Sequence, residues 1–363
     1  MAERKTDRKY TLINIAGILA LLLVLWLIDT FGTSTSMLIP VLQKTCVYAL
    51  AAVSMNLLNG FTGLFSLGQA GFLAIGAYSY ALLTIPVEMR AGVFYKQAGG
   101  IIQFCMPFIP ALLIGGVIAA FFALLIGLPV LRLKSDYLAI ATLGFAEILR
   151  NIIQSNDVAR LTNGPDPLSS FFTSSSLFTY VFISGICICF LVLLINSSYG
   201  RAFKAIRDDE IAAEAMGIDL FKHKMLSFVI SAFFAGIAGG LLAMFNTTVS
   251  ATSYNSAMTY EILLIVVIGG IGSVSGSVLA TFLFVASREW WLRFLDDEAL
   301  IPGITRGSFR MVIFSIIIML IVLLRQEGIM GDKELTARNV SKGFKKLFSG
   351  RAFKKNATGG GDV

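Results

Sequence analysis

Apolar runs, each near the length needed to cross a hydrocarbon core, recur along the chain between short polar connections. The clearest cover residues 12–28, 38–58, 64–85, 108–128, 138–153, 177–195, 226–245 and 309–324. A membrane helix needs about 20 predominantly apolar residues, so several of these runs are minimal spans. Residues 261–291 do not fit one span, because Gly269-Gly-Ile-Gly-Ser-Val-Ser-Gly276 interrupts them. If that region crossed only once, the basic stretch from Arg325 onward would face outside, against the positive-inside rule. A turn at the glycines restores the rule. The descending piece, 261–271, then reaches only about 16 Å, against roughly 30 Å of hydrocarbon. The predicted fold class is an all-α polytopic membrane protein of about ten transmembrane or half-membrane helices, glycine-broken in both halves, with N and C termini cytoplasmic.

The earlier break lies in Asn59-Gly-Phe-Thr-Gly-Leu-Phe-Ser-Leu-Gly-Gln-Ala-Gly-Phe72. Ser66 and Gln69 have the spacing of a capping box, in which the serine oxygen and the returning amide satisfy free N–H groups at a helix start. Ser273 or Ser275 offers the same service in the later half. Paired, glycine-interrupted segments in the two halves of a transporter point to its substrate path, while small residues at short intervals also let membrane helices pack closely. Both readings stand on the sequence. They make Ser66, Gly68, Gln69, Gly270, Gly272 and Ser273 candidate path residues. Glu147 and Glu261 join them as carboxylates inside apolar segments, where charge is costly unless it faces protein or water. Pairing with Arg150 or Asn151 is the structural alternative for Glu147.

One stretch does not belong in lipid: Tyr199 to Gly217 is charged, helix-favouring and closed by glycine. Phe203, Ile206, Ala213 and Met216 recur at helical steps and predict one apolar face, leaving Arg207, Asp208, Asp209 and Glu214 in water. Gly217 is a natural helix stop.

Composition narrows the picture. The chain is 56% hydrophobic and 14% charged, against about 25% charged residues in ordinary soluble proteins. The net charge of +7 clusters beside apolar spans, where it sets orientation, and does not point to nucleic acid. Cys46, Cys105, Cys187 and Cys189 show neither metal-type spacing nor a disulfide framework. The run at 12–28 follows Arg4, Lys5, Arg8 and Lys9 without a small-residue cleavage site, and reads as a retained span.

Enzymatic chemistry is missing from the pattern. No phosphate-binding Gly-x-x-x-x-Gly-Lys-Ser/Thr loop occurs. His223, the only histidine, lies among Lys222 and Lys224, outside the apolar runs. The expectation is a chain that is not an enzyme, with no cofactor and no metal site.

Tyr199 to Gly217 resembles the cytoplasmic coupling loop of ABC importer permeases, in which an alanine-rich helix and a following glycine dock on the ATP-hydrolysing subunit. Ala212, Ala213 and Gly217 match that pattern, although Ile211 stands at its leading glutamate and Glu210 one step earlier. Ser66 to Phe72, Ser135 to Phe145, Leu161 to Pro165 and Gly269 to Ser273 resemble stretches of the branched-chain amino acid permeases, closest to the M-type subunit. Together these cover roughly residues 38–325. The resemblance implies a bacterial inner-membrane permease subunit moving branched-chain or hydrophobic amino acids inward. It further implies two cytoplasmic ATPase subunits that bind ATP and Mg, a homologous second permease or a second copy, and an extracytoplasmic substrate-binding protein. Arg207, Asp208, Ala212, Ala213, Glu214 and Gly217 become the expected ATPase-coupling residues. Residues 1–325 are then the permease domain, and 326–363 a basic cytoplasmic tail with the composition of disorder. Urea or short amides are the alternative cargo. An ion-coupled secondary transporter using Glu147 and Glu261 is the alternative mechanism.

Overall fold

The computed structural model describes residues 37–96, 102–132 and 135–291, together with 315, 316, 319, 323 and 328–331. The predicted span at 12–28, most of that at 309–324 and both termini lie outside the described residues.

The described chain is helical: α1 (Leu38–Asn56), running into a π-helical turn (Leu57–Phe61), α2 (Gln69–Thr84), α3 (Val87–Val93), α4 (Phe108–Val130), α5 (Ser135–Gln154) and α6 (Ala159–Thr162). There follow α7 (Leu177–Asn196), α8 (Ser198–Asp208), α9 (Glu210–Ala215), α10 (Leu220–Asn246), α11 (Ser256–Gly269) and α12 (Val274–Glu289). Among the described residues, four segments are long and apolar enough to cross a membrane: Leu38–Phe61, Phe108–Val130, Leu177–Asn196 and Leu220–Asn246. The chain is thus a multi-pass membrane protein.

Two predicted spans come out differently. The run at 64–85 becomes helical only at Gln69, leaving 16 residues, or about 24 Å of helix. Residues 64–68 are spent on the break. The run at 138–153 becomes α5, whose 20 residues have the length of a span but not its apolarity. The 261–291 region does turn at its glycines, with α11 and α12 bent by 120°.

α10 is the hub, packed against α1, α2 and α4. Lipid tails are as apolar as leucine, so helices here gain by close van der Waals approach more than by water exclusion. Glycine provides it: a Cβ at Gly76 would stand 1.9 Å from the Gly236 carbonyl, and one at Gly239 would stand 2.0 Å from that of Leu73. α4 and α7 instead leave Phe121, Phe182, Phe190 and Leu193 uncovered, the face that hydrocarbon covers. At the far end of α2, buried Arg90 gathers the carbonyls of Leu82, Ile85, Ile102 and Phe104. It thereby ties the end of that helix to the loop that leads into α4.

Candidate functional site: an exposed helix pair beneath two chain breaks

The stretch from Tyr199 to Gly217 is not the single helix its composition suggested. It breaks at Asp209, which is extended (φ −161°, ψ 113°). The cause is local. The Asp209 carboxylate accepts from the backbone N–H groups of Ile211 at 2.9 Å and Ala212 at 3.0 Å, so it ends α8 and caps α9. Gly217, at φ +83°, closes α9 as expected. Its N–H donates to Glu214 O at 2.9 Å and that of Ile218 to Ala213 O at 3.1 Å, the paired bonds of a Schellman end.

Phe203, Ile206 and Ala213 are buried, as the helical period predicts. Met216 is not: it is 83% exposed, and Ile211 82%. The kink at Asp209 turns α9 out of phase with α8, so position 216 leaves the shared face. Between the helices lies an open groove of about 580 Å³ lined by Arg201, Ala205, Asp208, Ala212, Met216 and Ile218. Lys224 holds Glu210 at 2.6 Å, fastening α9 to α10. Nearby, Lys222 hydrogen-bonds Asp219 and holds its carboxyl below the usual range.

Asp208 and Glu214 are exposed. Arg207 is exposed as well, yet its guanidinium also reaches the bundle. Its Nη1 donates to Gly60 O at 3.2 Å, while Nε and Nη2 hold Asp208 Oδ1 at 3.1 Å. Lys204 lies 5.5 Å from the centre of the Phe61 ring. The helix pair therefore sits directly beneath the first break.

That break is built from distant partners, and the capping box does not form. Gln69 instead donates to Ser54 Oγ at 2.8 Å and Ala51 O at 3.3 Å on α1. Ser66 Oγ accepts from Gly68 N at 3.4 Å, one residue short of the helix. The free amides at the start of α2 are met by other helices: Leu67 N donates to Thr142 Oγ1 of α5 and Ala70 N to Thr259 Oγ1 of α11, both at 3.0 Å. Asn59 accepts from Ser66 N at 3.2 Å. A Cβ at Gly68 would stand 2.9 Å from Thr142 O. Tertiary hydroxyls thus outcompete the local box, because they are already buried and need donors.

The second break is local. Gly270 and Gly272 take φ of +114° and +89°, values that suit glycine. Of the two serines offered by the sequence, Ser273 is the cap, accepting from Gly276 N at 3.1 Å. The breaks meet at Asn56. Its Oδ1 accepts from Gly272 N at 2.9 Å, and its Nδ2 donates to Ser273 O at 3.0 Å and Ser277 Oγ at 2.8 Å. Residues 328–331, assigned to the tail on composition, contact the same place: Ile329 N donates to Ile268 O at 2.7 Å and Met330 N to Gly269 O at 3.3 Å.

The sequence candidates therefore divide. Ser66, Gly68, Gln69, Gly270, Gly272 and Ser273 belong to one buried assembly. Glu147 pairs with Arg150 on its own helix at 2.7 Å, as its structural alternative held, and Glu261 pairs with Arg288 of α12 at 2.7 Å. Neither carboxylate bonds to a break. Asn56, Asn59, Thr142 and Thr259 were missed. For the asparagines the signal was present, as amides inside or beside an apolar run must find partners. Among the described residues, no three His, Cys, Asp or Glu side chains are placed to hold a metal.

The family model described as "Branched-chain amino acid transport system / permease component" matches residues 37–324. The chain is 34% identical over 293 residues to the high-affinity branched-chain amino acid transport system permease protein LivM of Escherichia coli K12, covering 71% of this chain and 64% of that one. It is 33% identical over 299 residues to the protein of the same name from Salmonella typhimurium, covering 73% and 66%. The chain thus spans just under two thirds of the length of these two relatives. A more distant likeness, 24% over 304 residues, covers 79% of this chain and 92% of the permease protein LivH of Escherichia coli K12. None of the solved structures matches. With more than half of its length matched by the model, the chain belongs to the family of branched-chain amino acid transport permeases.

Proposed function

We propose that the chain is the membrane permease subunit of an ABC importer carrying branched-chain and other hydrophobic amino acids inward across a bacterial inner membrane. Hydrolysis of ATP with Mg takes place on two partner subunits, and an extracytoplasmic binding protein delivers the cargo. A second permease of LivH type, or a second copy of this chain, completes the path. The observation that carries the reading is the α8–α9 pair. It presents an open groove with Ile211 and Met216 uncovered, while its other side bonds to a chain break at Gly60. A helix pair so placed is a handle: a partner seated in the groove moves what the pair touches. Arg201, Asp208, Ala212 and Glu214 contribute the rim and floor for that partner, and Ala213 anchors the pair to the bundle.

The test is uptake of labelled leucine by vesicles holding this chain with its co-purified ATPase, partner permease and binding protein. Uptake is expected only with ATP, and leucine competes where urea does not. Competition by urea alone would move the cargo to short amides. Uptake by the chain without ATPase would make it a secondary transporter. A Gly217→Trp variant is expected to insert normally and lose uptake. A Cβ there meets nothing within 4 Å inside the chain, so the clash falls on the docked partner and on the φ of +83°. Undiminished uptake would count against the docking assignment.

A further inference from the structure

Arg207, Gly60 and Asn56 form a continuous line of contact that runs from the exposed helix pair to both breaks. Arg207 donates to Gly60 O at 3.2 Å. The fit around Gly63 (φ +76°) is as close: a Cβ there would stand 3.0 Å from Arg207 Cγ and 3.2 Å from its Cα. Gly60 in turn lies against the second break. A Cβ on it would stand 1.9 Å from Asn56 Oδ1 and 2.6 Å from Gly272 N. Asn56 is fully buried, and its carboxamide makes its bonds to Gly272, Ser273 and Ser277.

We infer that Arg207 is a positioning residue through which displacement of the α8–α9 pair reaches the first break, and that Asn56 passes it to the second. The physical argument is stiffness without slack. Every step is a hydrogen bond or a backbone contact with no room for one added carbon, so the second break cannot stay in place when α8 is pulled. The π-helical turn at Leu57–Phe61 suits a movable joint, since its wider hydrogen-bond ring departs from regular helix there. One Arg207 bond then bears on two sites more than two hundred positions apart in sequence, through a single asparagine.

This inference deepens the proposed importer mechanism, and its first test does not depend on transport. Amide hydrogen exchange is measured on the purified chain in lipid nanodiscs for peptides covering 57–63 and 269–276. Arg207→Gln is expected to speed exchange in both by about tenfold, the effect of losing one charged hydrogen bond. Gly63→Ala, which pushes α8 away without altering the guanidinium, is expected to do the same, and Arg207→Lys to fall between. Lys222→Gln, a charge removed beside the pair but off the line, is expected to leave 269–276 unchanged. Unchanged exchange at 269–276 in both Arg207→Gln and Gly63→Ala overturns the inference, and so does exchange raised uniformly along the chain. In the complete importer, Arg207→Gln is expected to keep ATP hydrolysis while uptake per ATP falls about tenfold. A parallel fall in both would assign Arg207 to assembly alone. Failure of the unaltered importer to take up leucine would reject the importer reading, and the exchange result would still decide the link.

Discussion

The chain break after α1 and the break after α11 do similar jobs with different means. The first runs irregularly from residue 62 to 68 and depends on the hydroxyls of Ser54, Thr142 and Thr259 from α1, α5 and α11. The second turns between α11 and α12 on two glycines of positive φ and one serine of its own. A break of the second kind can form as soon as its hairpin exists. One of the first kind waits until three other helices are in place. It therefore reports on the packing of the whole bundle, and a handle acting on the bundle does well to grip there, as Arg207 does by packing against Gly63 and bonding to Gly60 just before it.

The strongest way to break the comparison is to strike where the breaks touch. Gly60→Ala forces a methyl group to within 1.9 Å of Asn56 Oδ1 and 2.6 Å of Gly272 N, atoms with no free space to yield. The expected loss is about 3 kcal/mol or more of stability, the upper range for overpacking. Thermal unfolding of the purified protein in detergent would measure it, and a small shift would mean that the two breaks are not in close contact. Next in size is Asn56→Ala, which strands Gly272 N, while Ser273 O keeps its bonds from Ser277 N and Ser277 Oγ. At about 1–3 kcal/mol for one unsatisfied group, the loss should be roughly 2 kcal/mol. It should fall on the second break although the residue belongs to α1. Hydrogen exchange that loosened only residues around 56 would contradict that.

The same difference explains what the sequence disclosed. The turn at 270–273 was legible because its cause lies in neighbouring residues: glycines where L-residues are strained and a serine at the helix start. Gly217 was legible for the same reason. The capping box at Ser66 and Gln69 was a false local solution. Its spacing was right, but Thr142 and Thr259 stand 76 and 193 positions from Ser66 in chain order, and no local pattern announces them. Met216 failed because a helical period assumes one uninterrupted helix, and a single carboxylate at Asp209 reset the phase. The aspartate was visible, yet a capping role and a solvated helical one look alike in sequence until the backbone is seen. Glu147 and Glu261 read as costly charges, and so they were, but their cost is met by Arg150 and Arg288. Arg288 lies 27 residues beyond Glu261 and reaches it only because the chain turns back at the glycines.

The finest test sets one serine against the other. Ser273→Ala removes the oxygen that accepts from Gly276 N at 3.1 Å, a true helix cap, and should cost about 1 kcal/mol. Ser66→Ala removes an oxygen 3.4 Å from Gly68 N, a separation at which little bond strength remains. The backbone of Ser66 would still be held by Asn59, and the start of α2 by Thr142 and Thr259. A loss of only about 0.3 kcal/mol is expected there, within the scatter of ordinary substitutions. Paired unfolding curves of the two variants measure the difference directly. Equal losses would mean that Ser66 caps α2 after all, and that the first break, like the second, is written in its own few residues. A loss at Ser273 alone leaves the first break dependent on helices that lie far from it in the chain, the condition under which a pull on Arg207 is felt across the bundle.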